Sequence, residues 1–148
     1  MEIPLKDHKF RYLDHTADVF VEAYGSSLET AFENAALAMF EIMTDTEMVA
    51  FKAEEAFEVE GRDESALLYN WLEALLVRFE VSNMLYSKFK IAQISEIPEG
   101  FRLKATVQGE KLDPQRHSEK TGVKAVTYHE MEVQRNPNEV RVKFLLDI

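Results

Sequence analysis

The sequence predicts an α+β fold in two layers, with two long helices packed on a mainly antiparallel β-sheet. Three observations carry this. Two segments, opening near Ser26 and Asp63, repeat apolar residues at helical spacing. The segments around them alternate apolar and polar residues, as strands with one buried face do. Helices and strands do not alternate regularly, which argues against a parallel doubly wound sheet. A length of 148 residues suits one domain, 1–148, with a single core, and neither a linker nor a clear repeat divides it.

Taken in order, Phe10 to Leu13 and Val19 to Tyr24 have strand composition. Ser26 and Glu29 have capping-box spacing, each able to satisfy a first-turn amide. Leu28, Phe32, Ala35, Met39, Phe40 and Met43 then form one apolar helical face that ends near Thr44-Asp45. Ala56 to Glu60 alternates as a strand. Asp63 is a good N-cap for the second helix, with Glu64 near its positive end. Leu68, Trp71, Leu72, Leu75 and Phe79 are its buried stripe, the single tryptophan serves as a core anchor, and Ser82-Asn83 ends the helix. Beyond it, Lys88 to Ile97, Phe101 to Gln108, Val123 to Gln134 and Val140 to Leu146 read as strands. Pro98-Glu99-Gly100 and Asn136-Pro137-Asn138 are turns between them. In the strand from Val123, alternation puts Val123, Ala125, Thr127, His129 and Met131 on one face, with His129 expected as a hydrogen-bonded core histidine.

Composition narrows the function classes. Asp and Glu number 27 against 17 Lys and Arg, a net charge of −10. Such a chain is a poor polyanion binder, so strong direct nucleic-acid binding is not expected. Cations or basic protein surfaces suit it better. No apolar run is long enough to span a membrane and no signal peptide is evident, which leaves the cytoplasm as the expected compartment. Cysteine is absent, so any metal would rely on carboxylate, imidazole or carbonyl ligands, a set that favours Mg, Ca or Mn when oxygen dominates.

Three polar features need an account. Asp14, His15, Thr16 and Asp18 crowd a short stretch between two strands, and read either as a turn or as a binding site. The stretch from Gly109 to Gly122 is long, charged and glycine-containing. It reads as a mobile surface loop, or as a functional one ordered mainly by a partner. Asp147 and Ile148 end an apolar strand and present two carboxylates if Ile148 is the terminus, which with Asp18 would make an oxygen-rich cation site. An ordinary exposed chain end is the simpler reading of those residues alone.

The motifs resemble those of a known family. Tyr12-Leu13-Asp14-His15-Thr16-Ala17-Asp18 is similar to the N-terminal signature of the archease family. Gly109-Glu110-Lys111-Leu112-Asp113, then His117, then Val123 through Met131 resemble its second signature, and Asp147-Ile148 its ending. The resemblance implies a protein cofactor rather than an enzyme, with no catalytic residues of its own. Archeases assist the GTP-dependent RNA-splicing ligase that joins tRNA halves ending in a 2′,3′-cyclic phosphate or 3′-phosphate. They promote guanylylation of the ligase's active-site histidine and repeated turnover, and have also been linked to chaperone-like modulation of RNA methyltransferases. The resemblance further implies one divalent cation (Ca, Mg or Mn) held by Asp18, Asp147 and Ile148, with Asp14 and His15 as neighbours. It leaves open whether His117, Lys120, Lys124 and His129 meet a nucleotide, a partner or only each other. The alternatives are a metal-dependent phosphohydrolase using Asp14, His15, Asp18 and Asp147, or a chaperone-like modulator of RNA methyltransferases.

Overall fold

The computed structural model describes residues 9–13 and 17–148, and the backbone of Ile3–Pro4. In chain order the elements are β1 (Ile3–Pro4), β2 (Phe10–Leu13), β3 (Asp18–Gly25), α1 (Leu28–Met43), a 3-10 turn (Thr46–Met48), β4 (Ala53–Gly61), α2 (Glu64–Ser82), β5 (Met84–Ile97), β6 (Gly100–Lys111), β7 (Ala125–Asn136) and β8 (Glu139–Asp147). The fold is α+β, as the patterning predicts. Its strands form two antiparallel sheets rather than one: five strands in the order β1-β2-β3-β8-β7 and three in the order β4-β6-β5. Among the described residues no helix is long and apolar enough to cross a membrane.

The chain carries a repeat that its residue identities conceal. One strand–helix–hairpin unit is β3, α1, β7 and β8. A second, β4, α2, β5 and β6, is inserted into it between α1 and β7. In both units the leading strand pairs with the second strand of the hairpin, β3 with β8 and β4 with β6. In both, the first hairpin strand, β7 or β5, lies at a sheet edge.

The strand-to-helix junctions match atom for atom. Gly25 and Gly61 end the leading strands, and a Cβ there would lie 2.3 Å from the Ala31 nitrogen and 2.4 Å from the Leu67 nitrogen, so only glycine fits. Two residues later Ser27 and Asp63 cap the helices, accepting from the backbone N–H of Thr30 at 3.1 Å and Ala66 at 2.8 Å. Asn34 and Asn70 then reach back, each donating to the strand carbonyl just before the glycine, that of Tyr24 or Glu60, at 2.6 Å. The cap of α1 is therefore Ser27 and not Ser26. The glycine must close the turn first, which moves the cap one residue along.

The units hold each other through their helices. α1 packs on its own β3 and on β5 of the inserted unit, and α2 packs on its own β4 and on β7 of the outer unit. Trp71 on α2 is fully buried at this junction. Its indole Nε1–H donates to the Phe32 carbonyl of α1 at 3.0 Å, and its ring meets Phe57 and Phe89 edge-on. Of the apolar alternating residues of β6, Leu103, Ala105 and Val107 are buried and Phe101 is half-buried; on β8, Val140, Val142, Phe144 and Leu146 are buried, as is Leu145 on the opposite face.

Strand β7 departs from simple alternation. Thr127 pairs with Leu145 and Glu132 with Lys143, so four residues of β7 bulge out opposite a single residue of β8. Glu130 takes a left-handed conformation, φ 59°, within the bulge. The expected common face from Val123 to Met131 is broken there. His129 is exposed rather than in the core, and Tyr128 stacks on Tyr69 of α2 at 4.3 Å between ring centres.

Candidate functional site

The site is built where the outer unit's two central strands end together. Asp18 is the first residue of β3 and Asp147 the last of β8, and they are direct partners across the antiparallel pair. Direct partners project to the same face, so the two carboxylates stand side by side. The chain enters β3 through Ala17, an exposed residue in the left-handed region at φ 71°. That conformation costs a non-glycine residue roughly 1–2 kcal/mol, which the β3 pairing that follows must sustain. Ile148 follows Asp147 and packs partly against the core. Asp14 and His15, expected as neighbours, lie outside the described residues, as does Thr16.

A pair of adjacent carboxylates with a main-chain oxygen from Ile148 is a hard-oxygen donor set of the kind that suits Ca, Mg or Mn. Among the described residues no three His, Asp or Glu side chains gather as a metal site. The donor chemistry of the pair fits a divalent cation, to which a main-chain oxygen of Ile148 could contribute.

Beside the pair, the stretch from Gly109 to Gly122, expected from the sequence as a loop ordered mainly by a partner, begins within β6, and the irregular backbone runs over residues 112–124. That segment is bonded to its own chain. The Leu112 N–H bonds the Asn83 carbonyl at 2.8 Å, those of Lys120 and Thr121 bond Met43 and Ile42 carbonyls at 3.0 and 3.1 Å, and that of Lys124 bonds the Asp147 carbonyl at 2.7 Å. The middle contacts satisfy carbonyls at the C-terminal end of α1 that the helix itself leaves open. The strap thus begins at β6, crosses the end of α1 and finishes on the candidate site.

Of the four residues expected as candidate contacts, two are already engaged. His117 is buried, 3% exposed, with both ring nitrogens bonded within the chain. The Asp113 N–H donates to Nδ1 at 2.8 Å, so the ring proton sits on Nε2, which donates to Glu110 at 2.9 Å. This corrects its expected contact role, because no nitrogen is left for a nucleotide or partner. Lys120 bonds the Glu41 carbonyl and carboxylate at 2.9 and 2.8 Å. Lys124 is exposed and lines an open recess with Lys120, Glu80 and Ile148. His129 is exposed on the β7 bulge, with Nε2 3.8 Å from Glu130 Oε2.

Two polar centres escaped the sequence reading. Glu110 is buried, 5% exposed, and accepts from the Ala50 N–H at 2.7 Å, from His117 and from Arg116. Burial pushes its carboxyl up, but those three donors outweigh it and hold the group at about 2. At the other end of β3, Glu22 is 1% exposed and gathers Arg11 at 2.6 Å, Lys143 at 3.6 Å, Arg141 at 3.9 Å and the Tyr24 hydroxyl. Burial opposes its ionisation, yet the Tyr24 and Arg11 hydrogen bonds bring its pKa below the usual range. Its partners come from three strands, so only the pairing register reveals the cluster.

The architecture defines an α+β protein of two nested strand–helix–hairpin units, with a carboxylate pair where the outer unit's central strands end. The model of the archease protein family matches residues 10–148. The protein archease of Sulfolobus acidocaldarius is 45% identical over 140 residues, covering 95% of this chain and 99% of its own. That of Pyrococcus abyssi is 41% identical over 130 residues, 88% of this chain and 91% of its own. The solution structure of a Methanobacterium thermoautotrophicum protein matches with a TM-score of 0.84 at 41% identity, over 95% of this chain and 99% of that one. The crystal structure of an archease from Thermotoga maritima, described as a possible chaperone, matches with a TM-score of 0.61 over 92% of this chain and 94% of that one. At 19% identity it supports the fold alone. This chain belongs to the archease family.

Proposed function

We propose that this protein is a non-catalytic, activating cofactor of the GTP-dependent RNA-splicing ligase in the cytoplasm. It would promote guanylylation of the ligase's active-site histidine and sustain multiple turnover. The observation that carries the reading is Asp18 facing Asp147 beside Ile148, in a chain of the archease family. Asp18, Asp147 and a main-chain oxygen of Ile148 would hold one divalent cation, Ca, Mg or Mn. When bound, such an ion supplies positive charge that offsets triphosphate charge at a phosphoryl-transfer centre. The chain's own acidity, −10 overall, favours docking on a basic RNA-binding enzyme and disfavours RNA itself.

The test is ligase guanylylation with GTP, with and without this protein, repeated with Asp18→Asn and Asp147→Asn. Stimulation by the native protein and its loss in both variants is the expected result. Turnover of a phosphate ester by the isolated protein would instead favour a metal-dependent phosphohydrolase, and no effect on the ligase would refute the cofactor reading.

A further inference from the structure

We propose that Glu110 and His117 form a clasp that positions the Asp147 end of the candidate site, acting through the strap of residues 112–124. The inference rests on the cation reading of Asp18 and Asp147, and adds a residue pair that contacts neither. Its starting point is that the strap is mostly polar: Leu112 and Val123 near its two ends pack on the core, and between them only His117 is buried. Three sets of directed bonds fix the rest. At one end Glu110 and His117 close on each other. In the middle Lys120 and Thr121 bond the last carbonyls of α1, and at the far end the Lys124 N–H bonds the Asp147 carbonyl.

The clasp is suited to setting position. His117 uses Nδ1 as acceptor and Nε2–H as donor at once, which ties its own loop turn, through the Asp113 N–H, to a buried carboxylate. The His117 N–H also bonds the Asp113 carbonyl at 2.8 Å, so the turn is closed twice. Glu110 in turn accepts from Ala50, which lies on the segment joining α1 to β4. That segment leads into the inserted unit and the strap leads out of it. One carboxylate therefore ties both connections between the two units. At the other end of the strap, Ala125 and Asp147 are the last partners of the β7–β8 ladder, and the Lys124 bond extends that ladder by one step. With the clasp open, that last step loses its support and Asp147 keeps only its ladder partners, Asp18 on β3 and Ala125 at the very end of β7. Glu110 and His117 are positioning residues in this scheme.

The experiment compares His117→Ala with the native full chain in two measurements. The first is amide hydrogen exchange at Lys120, Thr121 and Lys124, the three strap donors. The second is calorimetric titration with calcium alone. The expected result is exchange at least tenfold faster at all three amides and calcium affinity at least tenfold weaker, with the Trp71 near-ultraviolet signal native. His117→Gln, whose amide N–H can still reach Glu110, is expected to recover part of both. Should His117→Ala not fold, Glu110→Gln takes its place, removing the charge at nearly constant shape. Unchanged exchange at Lys124 would overturn the proposal. So would faster exchange with unchanged calcium affinity, because the clasp would then hold the strap without positioning the site. Asp147→Asn is the separate control. If it binds calcium as the native chain does, the cation reading has failed and the clasp's role at a cation site falls with it, whereas a failure of the clasp alone leaves Asp147→Asn defective and His117→Ala normal.

Discussion

Replacing Trp71 tests the way the two units are joined. The side chain is fully buried, packs edge-on against Phe57 of β4 and Phe89 of β5, and donates to the Phe32 carbonyl of α1 at 3.0 Å. Trp71→Ala removes the whole indole from a packed interior, a change that costs about 3–5 kcal/mol. Trp71→Phe keeps one ring and most of the edge contacts. It forfeits the second ring and the N–H, about 1–2 kcal/mol, because the Phe32 carbonyl, in the interior of α1, keeps its place in the helical ladder. The two variants should therefore differ by roughly 2–3 kcal/mol. Urea titration followed by circular dichroism at helical wavelengths reads both, since tryptophan fluorescence is lost by design. Each helix packs on a strand of the other unit, so helical and aromatic signals should change together in one transition. An Ala variant within about 1 kcal/mol of the native chain would refute the placement of Trp71. Two separated transitions in the native chain would refute the mutual packing of the units.

Gly25→Ala and Gly61→Ala should each destabilise the fold by about 1–3 kcal/mol in the same titration, because each Cβ would fall within 2.4 Å of a backbone nitrogen in the first helical turn. Glu110 has a folded-state pKa of about 2. A depressed carboxylate contributes stability that is fully present above its unfolded pKa and lost as pH falls through the folded one. About 3 kcal/mol should therefore disappear between roughly pH 4.5 and pH 2, and a stability–pH curve of Glu110→Gln should be flatter across that window. Millimolar calcium or manganese should raise the melting temperature of the native chain and leave that of Asp147→Asn unmoved, a difference that differential scanning calorimetry resolves.

The helices were legible in the sequence because their information is local. Leu68, Trp71, Leu72 and Leu75 recur at helical spacing, and Asp63 and Asn83 punctuate the ends as cap and left-handed stop. The strand faces of β6 and β8 were legible for the same reason, with a period of two in place of 3.6. What failed depends on pairing. The β7 bulge is set by the register against β8, and nothing in Tyr128-His129-Glu130-Met131 read alone announces three extra residues. The repeat escaped because it is conserved in backbone needs, not in identities. Gly61 and Asn70 follow Gly25 and Asn34 at an interval of 36 residues, whereas Ser27 is matched by Asp63 and Ala35 by Trp71. The role of His117 stayed open in the sequence because its partner, Glu110, lies on a strand whose course toward the strap becomes visible only once β6 is placed.

The nested arrangement also bears on why the outer unit's central strand pair ends in two carboxylates and the inserted unit's does not. Gly25 faces Val140 in the outer unit and Gly61 faces Phe101 in the inserted one, so the two central strand pairs share a register. Counting seven residues back along the leading strand from each glycine reaches Asp18 opposite Asp147 in one unit and Glu54 opposite Gln108 in the other. The inserted unit therefore opposes a carboxylate with a neutral amide, a pairing that needs no counter-ion. The outer unit opposes two carboxylates, the pair between which the proposed cation would sit. The two ends differ in their connections as well. β8 leads into Ile148, which packs partly against the core, and β6 runs on into the strap that returns to Asp147. The strap thus carries the inserted unit's exit to the charged end of the outer unit, a second link between the units beside the packing of α2 on β7.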